Sequence, residues 1–152
     1  MLVATALLLS GCATLLGGQD EVDRLLAEAG TVFAESIELV DAVPDEYRLR
    51  VVGEGGCLRE QAVVVEGVAL FRDLTGDELA DAVDRVSAVW DSLSDSKRLT
   101  LPESSVPEWE TRTWSVAGGL GRAGGYHLGM FAQQDIGQLS LSVRSGCYRG
   151  EG

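Results

Sequence analysis

Two stretches of this chain carry apolar residues at helical spacing along one stripe only, and that restricts the folds open to it. Val22, Leu25, Leu26, Ala29, Val32, Phe33, Ile37, Val40 and Val43 recur at steps of three and four until Pro44, the period of an amphipathic helix. Glu21, Asp23, Arg24, Glu28, Glu35 and Glu38 occupy the rest of its circumference. Thr75-Gly76-Asp77-Glu78 then has the form of a capping box, with Thr75 as N-cap and Glu78 as its reciprocal partner. Leu79, Ala82, Val83, Val86, Val89, Trp90 and Leu93 follow at the same period. A helix with one apolar stripe must bury it against another layer.

The segments between and after the helices read as that layer. Tyr47, Leu49 and Val51 alternate with Arg48 and Arg50, and after the glycine-rich turn at 53–56 the run CLREQAVVVEG completes a hairpin. Gly67 to Phe71 extends its second strand. Residues 94–108, polar and holding Pro102 and Pro107, form a long connection. WETRTWSV (109–116) is a further strand, AGGLGRAGG is a loop too rich in glycine for regular structure, and YHLGMFAQQ and QLSLSVRSGCY flank a compact turn at Asp135-Ile136-Gly137. Leu139, Leu141, Val143 and Cys147 share parity, which points Cys147 to the core side. The β-α-β alternation of a doubly wound sheet is absent. The pattern predicts an α+β fold: a two-layer sandwich with both helices on one face of an antiparallel sheet of four to five strands.

The N-terminus carries a different signal. MLVATALLL is uncharged and apolar, too short for a spanning helix, which needs about 20 residues, and of the length of a secretory h-region. Leu9-Ser10-Gly11-Cys12 resembles the lipobox of bacterial lipoproteins. That resemblance implies diacylation of the Cys12 thiol, as with a palmitate chain, and cleavage just before it. It divides the chain into a signal peptide at 1–11, a lipidated tether at 12–19 and a single globular domain at 20–152. No Lys or Arg precedes the apolar run, so the true start is expected upstream of Met1. Leu15 and Leu16 are expected near the membrane surface.

Twenty-four acidic residues against twelve basic ones give a formal net charge of −12. An acidic surface repels phosphate backbones, so nucleic acid is not an expected partner. Attachment to a membrane is expected through acyl chains rather than basic patches. Lys97 is the one lysine, asparagine is absent and isoleucine occurs twice. That bias fits a GC-rich genome, and with the lipobox the chain is similar to small actinobacterial cell-envelope lipoproteins.

With Cys12 acylated, Cys57 and Cys147 remain, and an even pair in an exported chain reads as a disulfide. A C-x-x-C redox spacing is absent.

Gly119-Leu120-Gly121-Arg122-Ala123-Gly124 spells G-x-G-x-x-G, but a dinucleotide site needs a helix to follow inside a β-α-β unit; a flexible loop is expected instead. The acidic run Asp73, Asp77, Glu78, Asp81 and Asp84 lacks calcium-loop spacing and reads as a solvated helix face. His127 is the only histidine, so zinc or Ser-His-Asp chemistry would have to use it. No catalytic, cofactor or metal residue is assigned. Trp90 falls on the apolar stripe, whereas Trp109 and Trp114 are candidates to line a ligand groove.

These readings predict a lipid-anchored protein on the extracytoplasmic face of the cell membrane. It acts as a non-catalytic interaction or ligand-binding domain toward an envelope protein or small ligand. Two alternatives stand beside it. One is a carrier of an apolar ligand held between helices and sheet, with the glycine-rich loop as its mouth and an enclosed cavity of a few hundred Å³. The other is a cell-envelope hydrolase using His127.

Overall fold

A computed structural model describes residues 15–53, 57, 62–100 and 109–150. The signal peptide and Cys12 lie outside the described residues. The elements are α1 (Gln19–Val40), β1 (Glu46–Gly53), β2 (Ala62–Phe71), α2 (Gly76–Ser92), β3 (Ser96–Leu99), β4 (Trp109–Val116), β5 (Tyr126–Gln133), β6 (Gln138–Ser145) and the two-residue β7 (Tyr148–Arg149). The strands form one antiparallel sheet in the order β1-β2-β6-β5-β4-β3, with β7 also paired to β2. Both helices lie on one face. The α+β class is as expected, and the sheet is wider than four to five strands.

The widening has a local cause. SKRL, inside the segment read as a connection, pairs with β4 as edge strand β3. It has no apolar alternation of its own, so its identity comes from its neighbour rather than from its composition.

The capping box forms as expected: Glu78 N–H donates to Thr75 Oγ1 at 3.2 Å and Thr75 N–H donates to Glu78 Oε2 at 2.8 Å. Helix α1 ends earlier than Pro44. Asp41 takes a left-handed conformation (φ 58°) and its N–H donates to the Glu38 carbonyl, which closes the helix and leaves Val43 88% exposed.

The core lies between helices and sheet. Val22, Leu25, Ala29 and Phe33 of α1 and Leu79, Ala82, Val86 and Trp90 of α2 are buried against Ala69, Trp114, Leu128, Leu139, Leu141 and Tyr148. Burial of each large side chain contributes about 1.5–3 kcal/mol. Trp90 and Trp114 meet edge to face at 5.0 Å, which makes Trp114, at 0% exposure, a core residue and corrects its reading as a groove candidate.

Cys57 and Cys147 form a disulfide, Cα to Cα 6.0 Å, closing a separation of 90 residues. The parity argument for Cys147 fails, however. Glu66 is opposite Arg144 and Val63 is opposite Tyr148, so three steps on β2 face four on the β6–β7 segment: a β-bulge. Val65 N–H donates to Ser145 Oγ at 2.8 Å inside it. The bulge shifts the alternation by one, so Tyr148 is buried and Cys147 is half-buried.

The chain before α1 is stitched to this end of the sheet. Leu16 N–H donates to the Cys147 carbonyl at 2.9 Å, and Arg149 N–H donates to the Gly17 carbonyl at 2.8 Å. Leu16 also packs against the core, so this part of the expected tether belongs to the fold. Among the described residues no helix is long and apolar enough to cross a membrane.

Candidate functional site

The helices cover one face of the sheet, and among the described residues the other is left open except where the Gly119–Gly121 turn approaches Ser115 and His127. Alternation and register assign that open face row by row. Nearest the disulfide end, Lys97, Ser115, His127, Arg144, Glu66 and Arg50 are in line across six strands. The next row holds Leu99, Thr113, Gly129, Ser142, Val68 and Arg48, and the third Thr111, Phe131, Ser140, Leu70 and Glu46. Trp109, Gln133 and Gln138 make the last.

The rows differ in chemistry. Around Trp109 the open-face positions of β4, β5 and β6 in the last two rows are uncharged: its ring, 41% exposed, meets Phe131 edge to face at 5.7 Å. The hydroxyls of Thr111 and Ser140 and the amides of Gln133 and Gln138 surround that pair by register. An aromatic plane ringed by neutral hydrogen-bonding groups suits a ligand that is itself part apolar face, part hydroxyl. Trp109 is thus where a ligand groove was expected, and Trp114 is not.

Charge is segregated between the layers. Helix α1 carries six acidic residues to one arginine and α2 five to one. On the open face Arg48, Arg50, Lys97 and Arg144 outnumber Glu46 and Glu66. Arg50 pairs with Glu66 at 3.5 Å. The two helices together hold 11 of the 24 acidic residues against two arginines.

His127 and Ser115 are cross-strand neighbours on the first row. Both approach the Cα of Gly119: a Cβ there would lie 2.8 Å from Ser115 Oγ and 2.9 Å from His127 Nε2. Partial burial pushes the imidazole pKa below its ordinary value. Among the described residues no carboxylate hydrogen-bonds to His127 to orient it, and Ser115 and His127 are not hydrogen-bonded to each other. A nucleophile needs its base in hydrogen-bond reach and the base a third group. Among the same residues no three His, Cys, Asp or Glu side chains gather as a metal would need.

The G-x-G-x-x-G segment forms a 3-10 turn at Gly119–Gly121 and then enters strand β5, not a helix. It is folded rather than a loose loop: Gly124 N–H donates to the Tyr148 hydroxyl at 2.8 Å. Gly125 sits so close to the Gly119 carbonyl that a Cβ would lie 2.1 Å from it.

On the helical side a cleft of about 280 Å³ opens between Leu79, Val83, Asp84, Glu110, Arg112 and Ala132. Its cation is already matched: Arg112 donates to Glu110 Oε1 at 2.6 Å and to the buried Ser87 Oγ at 2.8 Å. No known protein-family model matches the chain, and neither curated proteins nor solved structures match it.

Proposed function

We propose that this chain is a lipid-anchored, extracytoplasmic binding domain that recognises its ligand on the open face of the sheet and performs no chemistry on it. The observation that carries the reading is Trp109, an exposed aromatic on Phe131 beside the hydroxyls and amides of β4, β5 and β6, on the sheet face that the two helices leave open among the described residues. That surface fits the alternating apolar and hydroxyl faces of a carbohydrate chain of the envelope. The disulfide supports export into an oxidising compartment, and Leu9-Ser10-Gly11-Cys12 supports anchoring through an acylated Cys12.

An apolar carrier fits less well. The layer between helices and sheet is filled by Phe33, Trp90, Trp114 and Leu128, and the cleft beside it is edged by Asp84, Glu110 and Arg112. A hydrolase would need His127 to be oriented by an acid, and the row around it offers Arg144 as its neighbour on β6.

Cosedimentation with insoluble cell-wall glycan tests the binding reading. The chain is expected to pellet with the glycan and Trp109→Ala to remain in solution. Equal pelleting of both proteins overturns the assignment of the face. Intact mass of the protein from a lipoprotein-processing host tests the anchor: diacylation at Cys12, lost in Cys12→Ser, is expected, and an unmodified chain overturns it.

A further inference from the structure

The point where the chain enters the fold lies beside a basic concavity, and the two together set how an anchored molecule meets its membrane. Ala13, Thr14 and Leu15 alone separate Cys12 from Leu16, whose N–H is bonded to Cys147. At about 3.3–3.6 Å per residue this stretch reaches no more than roughly 14 Å. Leu16 Cδ1 and the Leu120 carbonyl both crowd Gly146, where a Cβ would lie 2.6 and 2.1 Å from them. The turn that carries Arg122 is therefore next to the root of the tether.

On the sheet side of that turn a concavity of about 500 Å³ is lined by Lys97, Arg122, Ser96, Ser115 and Asp95. Lys97 and Arg122 are exposed, and among the described residues neither has an ion-pair partner, in a chain where acids outnumber bases two to one. Gly118 (φ 90°) admits the Arg122 stem: a Cβ there would lie 2.3 Å from Arg122 Cδ. The opposite end of the molecule is acidic, with Glu35 and Glu38 in the last two turns of α1 and Asp41, Asp45 and Asp73 just past the ends of α1 and β2.

The geometry points to the Lys97–Arg122 concavity as a receptor for the phosphate of an anionic phospholipid headgroup, which seats the anchored domain with its tether end down and its acidic end away from the bilayer. Ser96 Oγ already donates to the Trp90 and Asp91 carbonyls, so two cations and the Ser115 hydroxyl stand against the single Asp95 carboxylate, and basic residues next to an anionic leaflet attract it over about a Debye length. The inference rests on the anchored reading, because the short tether is what brings this end to the membrane.

Vesicle flotation of the full chain carrying Cys12→Ser isolates the headgroup contribution. Phosphatidylglycerol and phosphatidylcholine vesicles are compared at low salt, and the ratio cancels any affinity of the apolar N-terminal run. A preference for phosphatidylglycerol of about tenfold is expected, abolished by Lys97→Gln with Arg122→Gln and by high salt, and retained by Arg85→Gln. Circular dichroism confirms that the variants are folded. Equal flotation with both lipids, or a preference that survives the double substitution, overturns the proposal. So does saturable binding of inorganic phosphate at Lys97 and Arg122 with no lipid preference, which would assign the site to free phosphate. The mass of Cys12 is read separately: an acylated chain without headgroup preference removes this inference alone, and an unacylated chain removes the anchor.

Discussion

Trp90 of α2 donates its indole N–H to Ser36 Oγ of α1 at 2.7 Å, fully inside the core. Ser36 Oγ in turn donates to the Val32 carbonyl at 2.7 Å, so a hydroxyl that is costly to bury joins the two helices and has both roles satisfied. Ser36→Ala leaves the indole N–H without a partner. The expected cost is about 1–3 kcal/mol, read as a lower denaturant midpoint with an unchanged slope.

A second indole is tied at the edge of the same layer. Trp114 Nε1 donates to Asp91 Oδ1 at 2.7 Å, while Arg98 pairs with Asp91 Oδ2 at 2.7 Å and stands 5.0 Å over the Trp114 ring. The Trp114 hydrogen bond, then Arg98, hold the Asp91 carboxyl below its ordinary value of 3.8. A lowered carboxylate stabilises the fold fully above that value, and the contribution is lost as pH falls through the lowered one. Asp91→Ala is expected to cost about 1–2 kcal/mol at neutral pH and to flatten the acid limb of a stability profile; Asp91→Asn, which can still accept from Trp114, is expected to cost less.

How far the sequence foretold this molecule can be traced to particular residues. Thr75 and Glu78 declared the start of α2 because a capping box is local chemistry, and the stripes of both helices and the alternation of β1 are equally local. Cys57 and Cys147 followed from counting. What escaped is non-local. Strand β3 exists because Ser96 to Leu99 find Thr113 to Val116, and the Ser145 bulge exists because β2 must pair with both β6 and β7. The open face escaped for the same reason: Trp109 and Trp114 sit on one strand, an odd number of residues apart, and only the placement of the helices decides which one is buried.

The disulfide is expected to contribute strongly to stability, since Cys57 and Cys147 join the β1–β2 connection to the β6–β7 junction across a separation of 90 residues. A bridge of that span restricts the unfolded chain by an amount worth about 4–5 kcal/mol. Cys57→Ser with Cys147→Ser should lower the melting temperature markedly, and a reductant should do the same to the parent while leaving the double variant unaffected.

His127 predicts a pH dependence of opposite chemical origin to Asp91. Its folded pKa is depressed below 6.5 by burial, so between those two values the unfolded chain binds a proton that the folded chain does not. Stability therefore rises with pH across this window and falls as pH drops below 6.5. His127→Gln should remove that slope near neutrality. Denaturation midpoints of parent and variant between pH 5 and 7.5 provide the measurement; parallel curves would show that the imidazole titrates alike in both states.

Trp109 and Trp114 offer the sharpest separation of binding from folding, because they share a strand and differ in environment. Trp114 is at 0% exposure against Trp90, and Trp109 is 41% exposed on Phe131. Trp114→Ala opens a cavity in the core and removes both the indole donor to Asp91 and the ring beneath Arg98, at an expected cost of about 3–5 kcal/mol. Trp109→Ala removes one exposed plane and an edge contact, at an expected cost of about 1 kcal/mol or less. If Trp109 serves recognition, its loss should abolish glycan cosedimentation with the melting transition nearly intact. A stability loss comparable to that of Trp114→Ala would instead make Trp109 a structural residue and leave the open face without its anchor point.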